Sequence, residues 1–73
     1  MDPKFHPGDI VRLNRKYYRE GRRYFGSALK YHRNFKQRIL AVNDLGEDGF
    51  SYRIENIEDA IHESFLEKAK ELL

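Results

Sequence analysis

The chain has 73 residues, no cysteine, 36% charged residues and a formal net charge of +2. That length holds one domain, residues 1–73, with a thin core and marginal stability, and the lack of cysteine excludes disulfide staples and thiolate metal sites. No apolar run approaches the roughly 20 residues of a membrane helix, and Met1-Asp2-Pro3-Lys4 lacks the apolar stretch of a signal peptide, so a cytoplasmic location is expected.

Charge is unevenly spread. Ten of the fourteen cations fall between Arg12 and Arg38, where the only acid is Glu20, and nine of the twelve acids fall between Asp44 and Glu71. A basic first half followed by an acidic second half says more about partners than the small total does.

In chain order, Pro7-Gly8-Asp9 is turn chemistry, and Ile10, Val11 and Leu13 favour a short strand after it. Residues 14 to 37 show no sustained period of 2 or 3.6, and Gly21 and Gly26 punctuate them, so a long loop is expected, with at most a helical turn near Ser27 to Tyr31. Arg38 to Glu55 reads as a hairpin. The apolar run Ile39 to Val42 enters the loop Asn43 to Gly49, and then Phe50, Tyr52 and Ile54 alternate with Ser51, Arg53 and Glu55.

The end of the chain has two readings. Ile57, Ile61, Phe65, Ala69, Leu72 and Leu73 recur at nearly helical spacing, with Asn56 as an N-cap, which predicts one helix over 57–73. Alternatively, Ala60 to His62 form a strand, and the capping box Ser64-Phe65-Leu66-Glu67 starts a shorter helix at Phe65. The expected core is Ile10, Leu13, Ile39, Ala41, Phe50, Tyr52, Ile54, Ile61 and Leu66. Each contributes about 2 kcal/mol on burial, a large share of a total of about 5 kcal/mol.

The pattern Phe5-x-x-Gly8-Asp9-x-Val11-Arg12, followed by a long irregular stretch and then by a strand, acidic turn and strand, resembles small SH3-like barrels. These are common in ribosomal and transcription factors and among small bacteriophage and prophage proteins. His62 to Glu67 is similar to the closing segment of the phage-type proteins. The resemblance covers most of the chain outside residues 14 to 34. It implies a mainly β fold: a small SH3-like barrel of about five short strands, with a long basic first loop and a short C-terminal helix. It also implies a bacterial host cell as the setting. Function still has to be argued from a site.

The basic loop is the candidate site. Tyr17, Tyr18, Tyr24, Phe25, Tyr31 and Phe35 interleave with its cations. Cations that track phosphates and flat rings that stack on bases are the two ingredients of single-strand binders. The partner-binding residues expected on this basis are Arg15, Lys16, Tyr17, Tyr18, Arg19, Arg22, Arg23, Tyr24 and Arg33, with the tyrosines turned outward and Phe25 and Phe35 inward. The partner is nucleic acid or, alternatively, an acidic host protein surface that a phage-type protein would inhibit or redirect, since Arg and Tyr also dominate protein–protein hot spots. The competing reading is a solvated loop whose rings cover a small core.

Other chemistry has little support. His6, His32 and His62 have no metal-ligand spacing, and Asp44 to Gly49 fails the calcium-loop pattern because Gly46 occupies its third position. Ser27, Ser51 and Ser64 lack a nucleophile context, and Gly21 to Gly26 lacks the Gly-Lys-Ser/Thr ending of a phosphate loop. No enzyme activity, cofactor, small-molecule substrate or metal is expected, and the chain should be a monomer or weak dimer.

Overall fold

The computed structural model describes residues 2–20 and 36–69. They form five antiparallel strands: β1 (Ile10–Leu13), β2 (Gln37–Asp44), β3 (Phe50–Ile54), β4 (Ile57–His62) and β5 (Leu66–Lys68). One short helix, α1 (Arg15–Arg19), follows β1, and 3-10 turns lie at Gly46–Asp48 and Glu63–Phe65. The fold is therefore mainly β, as expected. The strand order is β4-β3-β2-β1-β5. No helix among the described residues is long and apolar enough to cross a membrane.

The chain enters β1 through a turn closed twice, by the Asp9 amide donating to the His6 carbonyl and by the His6 amide donating to Asp9 Oδ2, both at 2.9 Å. Alternation then selects the buried side. In β1 the inward residues are Val11 and Leu13, and Ile10, expected in the core, is only half-buried. The register explains this correction. Val11 faces Gln37, which is buried, whereas Ile10 faces Arg38, which is exposed, and cross-strand neighbours share a face.

Strand β2 serves two partners. Its first residues pair with β1, and from Ile39 onward it pairs with β3. Ile39 faces Ile54 and Ala41 faces Arg53, so β2 carries one extra residue, Leu40, which is 52% exposed. This bulge reverses the inward parity. After it, Val42 and not Ala41 packs against the core, opposite Tyr52, and Ala41, expected inside, is only half-buried. Phe50, Tyr52 and Ile54 do share the inner face of β3, while Ser51 on the outer face is covered and accepts from Asn43 Nδ2 at 3.3 Å.

The one-helix reading of 57–73 is overturned over the described residues. Ile57 and Ile61 are both buried because residues four apart on a strand share a face; β4 is also irregular, since the four-residue step from Ile57 to Ile61 meets only the two-residue step from Ile54 to Tyr52 on β3, and Arg53 Nη1 reaches the Glu58 carbonyl at 2.7 Å. Two periods of strand alternation thus imitate a four-residue helical repeat. The strand of the second reading is present, but its helix from Phe65 is replaced by a 3-10 turn and β5. The His62 ring, and not a Ser64 side chain, caps that turn by accepting from the Ser64 amide at 3.0 Å. Leu72 and Leu73 lie outside the described residues. The turn carries the chain across to β1, where β5 pairs Val11↔Lys68, Arg12↔Glu67 and Leu13↔Leu66. No ladder joins β4 to β5, so a closed barrel is not formed among the described residues.

The core gathers Phe5, Val11, Leu13, Tyr17, Ile39, Phe50, Tyr52, Ile54, Ile57, Ile61 and Leu66. At its centre Tyr52 is fully buried with both hydroxyl functions used: it donates to Glu63 Oε2 at 2.9 Å and accepts from the Phe5 amide at 3.3 Å. Burial pushes its pKa up, the Phe5 amide opposes this, and Glu63 adds to it. Tyr17 is pushed up by burial, then by Tyr18 and Asp59.

These shifts have a consequence at high pH. An unfolded tyrosine loses its proton near about pH 10, whereas the folded pair holds on longer. The unfolded state then binds fewer protons, so stability is intact below about pH 10 and falls as pH rises through the raised folded values. Each ring steepens the fall by up to about 1.4 kcal/mol per pH unit. Urea midpoints measured from about pH 9 to about pH 11 should drop accordingly, less so in Tyr52→Phe. A flat profile would contradict the placement of both hydroxyls.

The hairpin loop is fixed by local chemistry. The Gly46 amide donates to Asp44 Oδ1 at 2.8 Å, and the Leu45 amide donates to the Gly49 carbonyl at 2.8 Å. Gly49 has φ +90° and ψ −131°, a region nearly closed to other residues. An added Cβ would meet His62 Nε2 at an ordinary 3.5 Å, so Gly49→Ala should cost backbone strain alone, about 1–3 kcal/mol, read as a lower melting temperature. A melting temperature equal to that of the parent would refute it.

Candidate anion-binding surface

Helix α1 positions three cations of the basic stretch, Arg15, Lys16 and Arg19. Asn14 starts it. Its Oδ1 accepts from the Tyr17 amide at 3.1 Å, the usual N-cap bond, while its Nδ2 donates to the Ser64 carbonyl at 2.9 Å. The Asn14 amide also donates to the Phe65 carbonyl at 2.9 Å, so the cap pins the helix to the second 3-10 turn. Sequence reasoning missed this helix, although Asn14 ahead of Arg15-Lys16-Tyr17-Tyr18-Arg19 is a cap signal.

The five residues split by face. Tyr17 is 0% exposed and belongs to the core, which corrects its expected outward orientation. On this short helix its ring is the side chain that reaches the core fully, and Arg15, Lys16 and Arg19 take the exposed positions. The ring meets Phe65 edge-on, with centroids 6.1 Å apart, and Tyr18 edge-on at 5.4 Å. Tyr18 is half-buried against the same cluster, so it is not a free outward platform either. Arg15, Lys16 and Arg19 are exposed. Lys16 Nζ stands 5.1 Å from the Phe65 ring centroid, a cation–π contact that ties its stem to the turn. Lys16 and Arg19 lie in the last turn, where positive charge complements the helix dipole.

None of these three cations is ion-paired with a carboxylate of the described residues. The ion pair there is Arg12–Glu67 at 2.9 Å, opposite one another on β1 and β5, and His6 Nδ1 lies 3.9 Å from Asp9 Oδ2. Arg15 and Arg19 stand four apart on a helix, hence on one side of it, with their charges directed at solvent. Arg22, Arg23, Tyr24 and Arg33, and with them Phe25 and Phe35, lie outside the described residues. The structure therefore brings together Arg15, Lys16 and Arg19 of the expected set, and removes Tyr17 from it.

His62 is committed to the fold. Its Nε2 lies 2.6 Å from the Asp48 carbonyl, which can only accept, so Nε2 carries the proton. Its Nδ1 accepts from the Ser64 amide and also meets Ser64 Oγ at 2.9 Å. Both ring nitrogens are engaged. No group of three or more His, Cys, Asp or Glu that could hold a metal occurs among the described residues. Two further exposed cations were left out of the expected site, Lys36 and Arg38. Their signal was the alternation Lys36-Gln37-Arg38-Ile39 at the start of β2.

No protein-family model matches the chain, and neither the curated proteins nor the solved structures contain a match.

Proposed function

We propose that the protein is a non-enzymatic interaction module that docks an anionic partner, nucleic acid, on the exposed side of α1 and the basic segment that follows it. The observation that carries this reading is the pair Arg15 and Arg19: two solvent-facing guanidinium groups on one helix side, unpaired with any carboxylate of the described residues. Guanidinium groups suit phosphate because their planar fork bonds it bidentately. Arg22, Arg23 and Arg33 extend the set in sequence. Stacking contributes less to this reading than charge does, because Tyr17 is a core residue. Five short antiparallel strands with β1 and β5 adjacent support the SH3-like part of the reading.

Mobility shifts with single- and double-stranded DNA and RNA at about 50 mM salt test it. Retarded complexes that dissolve as salt rises are expected. No complex at tens of micromolar protein would end the reading, and a stoichiometric protein captured from nuclease-treated bacterial lysate would replace it with the host-protein alternative.

A further inference from the structure

The His62 ring bridges the two 3-10 turns, and it can do so only while it is neutral. Nε2 donates to the Asp48 carbonyl at 2.6 Å, at the end of the hairpin loop, and Nδ1 accepts from the Ser64 amide at 3.0 Å. A carbonyl only accepts and a backbone amide only donates, so the neutral ring with its proton on Nε2 is the one state that satisfies both. A second proton, on Nδ1, would set two donors against each other. Ser64 Oγ, 2.9 Å from Nδ1, can accept that proton, but the Ser64 amide then loses its acceptor.

Ser64 is also where α1 is anchored. Its carbonyl accepts from Asn14 Nδ2 at 2.9 Å, and the next carbonyl, that of Phe65, accepts from the Asn14 amide at 2.9 Å. The Phe65 ring lies edge-on to His62, with centroids 6.4 Å apart, and edge-on to Tyr17 of α1 at 6.1 Å. A change in the turn at Ser64 therefore reaches the cap of α1 directly. Charged residues on the elements packed around the ring are Glu47 and Asp48 of the hairpin turn, Glu63 beside it, whose Oε2 accepts from the Tyr52 hydroxyl, and Lys16 of α1, whose Nζ stands over the Phe65 ring. Ser51, opposite His62 on β3, is uncharged. Carboxylates and ammonium groups keep their charge between about pH 5.5 and about pH 7.5, whereas imidazole is the side chain that changes state there.

We infer that His62 is a proton-operated latch on α1: neutral, it holds the 3-10 turn that caps the helix, and protonated, it releases the Ser64 amide and loosens the cap. The effect on binding rests on the α1 reading above, and the latch itself does not. Its direction is opposite to the usual one. Acid adds positive charge to a protein and so strengthens its hold on a polyanion, whereas this latch weakens that hold by letting go of the helix that carries Arg15, Lys16 and Arg19.

The experiment is NMR of the full chain from about pH 7.5 to about pH 5.5, following the His62 ring and the backbone amides of Asn14, Tyr17 and Ser64, for the parent and for His62→Asn. Asn supplies a side-chain oxygen to the Ser64 amide, as helix caps do, and takes no proton. In the parent, the three amides should follow the His62 ring through one titration. In His62→Asn they should stay still over the same range. Oligouridylate affinity, taken relative to that variant so that His6 and His32 cancel, should fall about fivefold in the parent from the upper to the lower pH, the worth of one hydrogen bond. A His62 ring that titrates while the three amides are silent would overturn the latch, as would a ring that stays neutral throughout, or amide shifts that persist in His62→Asn. The parent's titration decides this without the variant. Coupled amides with no oligonucleotide bound at either pH would support the latch and overturn the α1 reading, and an affinity ratio that does not change with pH would overturn the latch's control of binding.

Discussion

Tyr17→Ala is expected to leave the domain largely unfolded at room temperature. The ring is fully buried, meets Phe65 and Tyr18 edge-on, and is the inward anchor of α1. Truncating a buried aromatic costs about 3–5 kcal/mol, close to the whole stability of a domain this small. Chemical denaturation followed by circular dichroism reads the result directly. If the ring instead lay on the surface as a base-stacking platform, the alanine variant would keep the parent's midpoint and lose only binding. Wild-type stability in that variant would therefore contradict the core assignment.

Ile54→Ala should cost about 2–5 kcal/mol for a different reason. Ile54 pairs with Ile39 across β2 and with Ile57 across the β3–β4 turn, at the place where the ladder of β2 passes from β1 to β3. It also lines a small, partly open pocket of about 10 Å³ with Val11, Arg12, Leu13, Gln37, Ile57 and Leu66. Truncation enlarges a gap that the neighbouring strands cannot close, because each is held by its own ladder. Leu40→Ala is the control: its side chain is on the outside of the bulge, and the midpoint should hardly move. Equal losses in the two variants would mean that the bulge is placed wrongly.

The hairpin was legible because two independent signals agreed there, the alternation from Phe50 to Ile54 and the Asn/Asp/Gly loop before it. Residue-level burial was less legible where ladders slip. Ile10 and Val11 are both apolar neighbours, and only their partners, Arg38 and Gln37, decide which one faces inward. Ala41 lost its place to Val42 because Leu40 bulges, and a bulge leaves no mark in a run of apolar residues. Ile57, Ile61, Phe65 and Ala69 imitate a helix because a spacing of four is also two periods of a strand, and the 3-10 turn that follows β4 carries the spacing on. At the site, charge was readable from composition, so Arg15, Lys16 and Arg19 emerged correctly as exposed cations. The orientation of Tyr17 was not, since a tyrosine among arginines serves a core and a base equally well. It took the Asn14 cap, which fixes the helix against Ser64 and Phe65, to turn that ring inward.

The most direct measurement of the central claim is the salt dependence of oligonucleotide binding, by fluorescence anisotropy, for the parent chain and for Arg15→Glu with Arg19→Glu. Each phosphate neutralised on a single strand contributes about 0.7 to the slope of log affinity against log salt. Binding by the parent should weaken steeply with salt, and the double variant, still folded, should bind at least about tenfold more weakly with a slope shallower by about 1.4. A variant with the parent's affinity and slope would show that α1 is not where the partner docks.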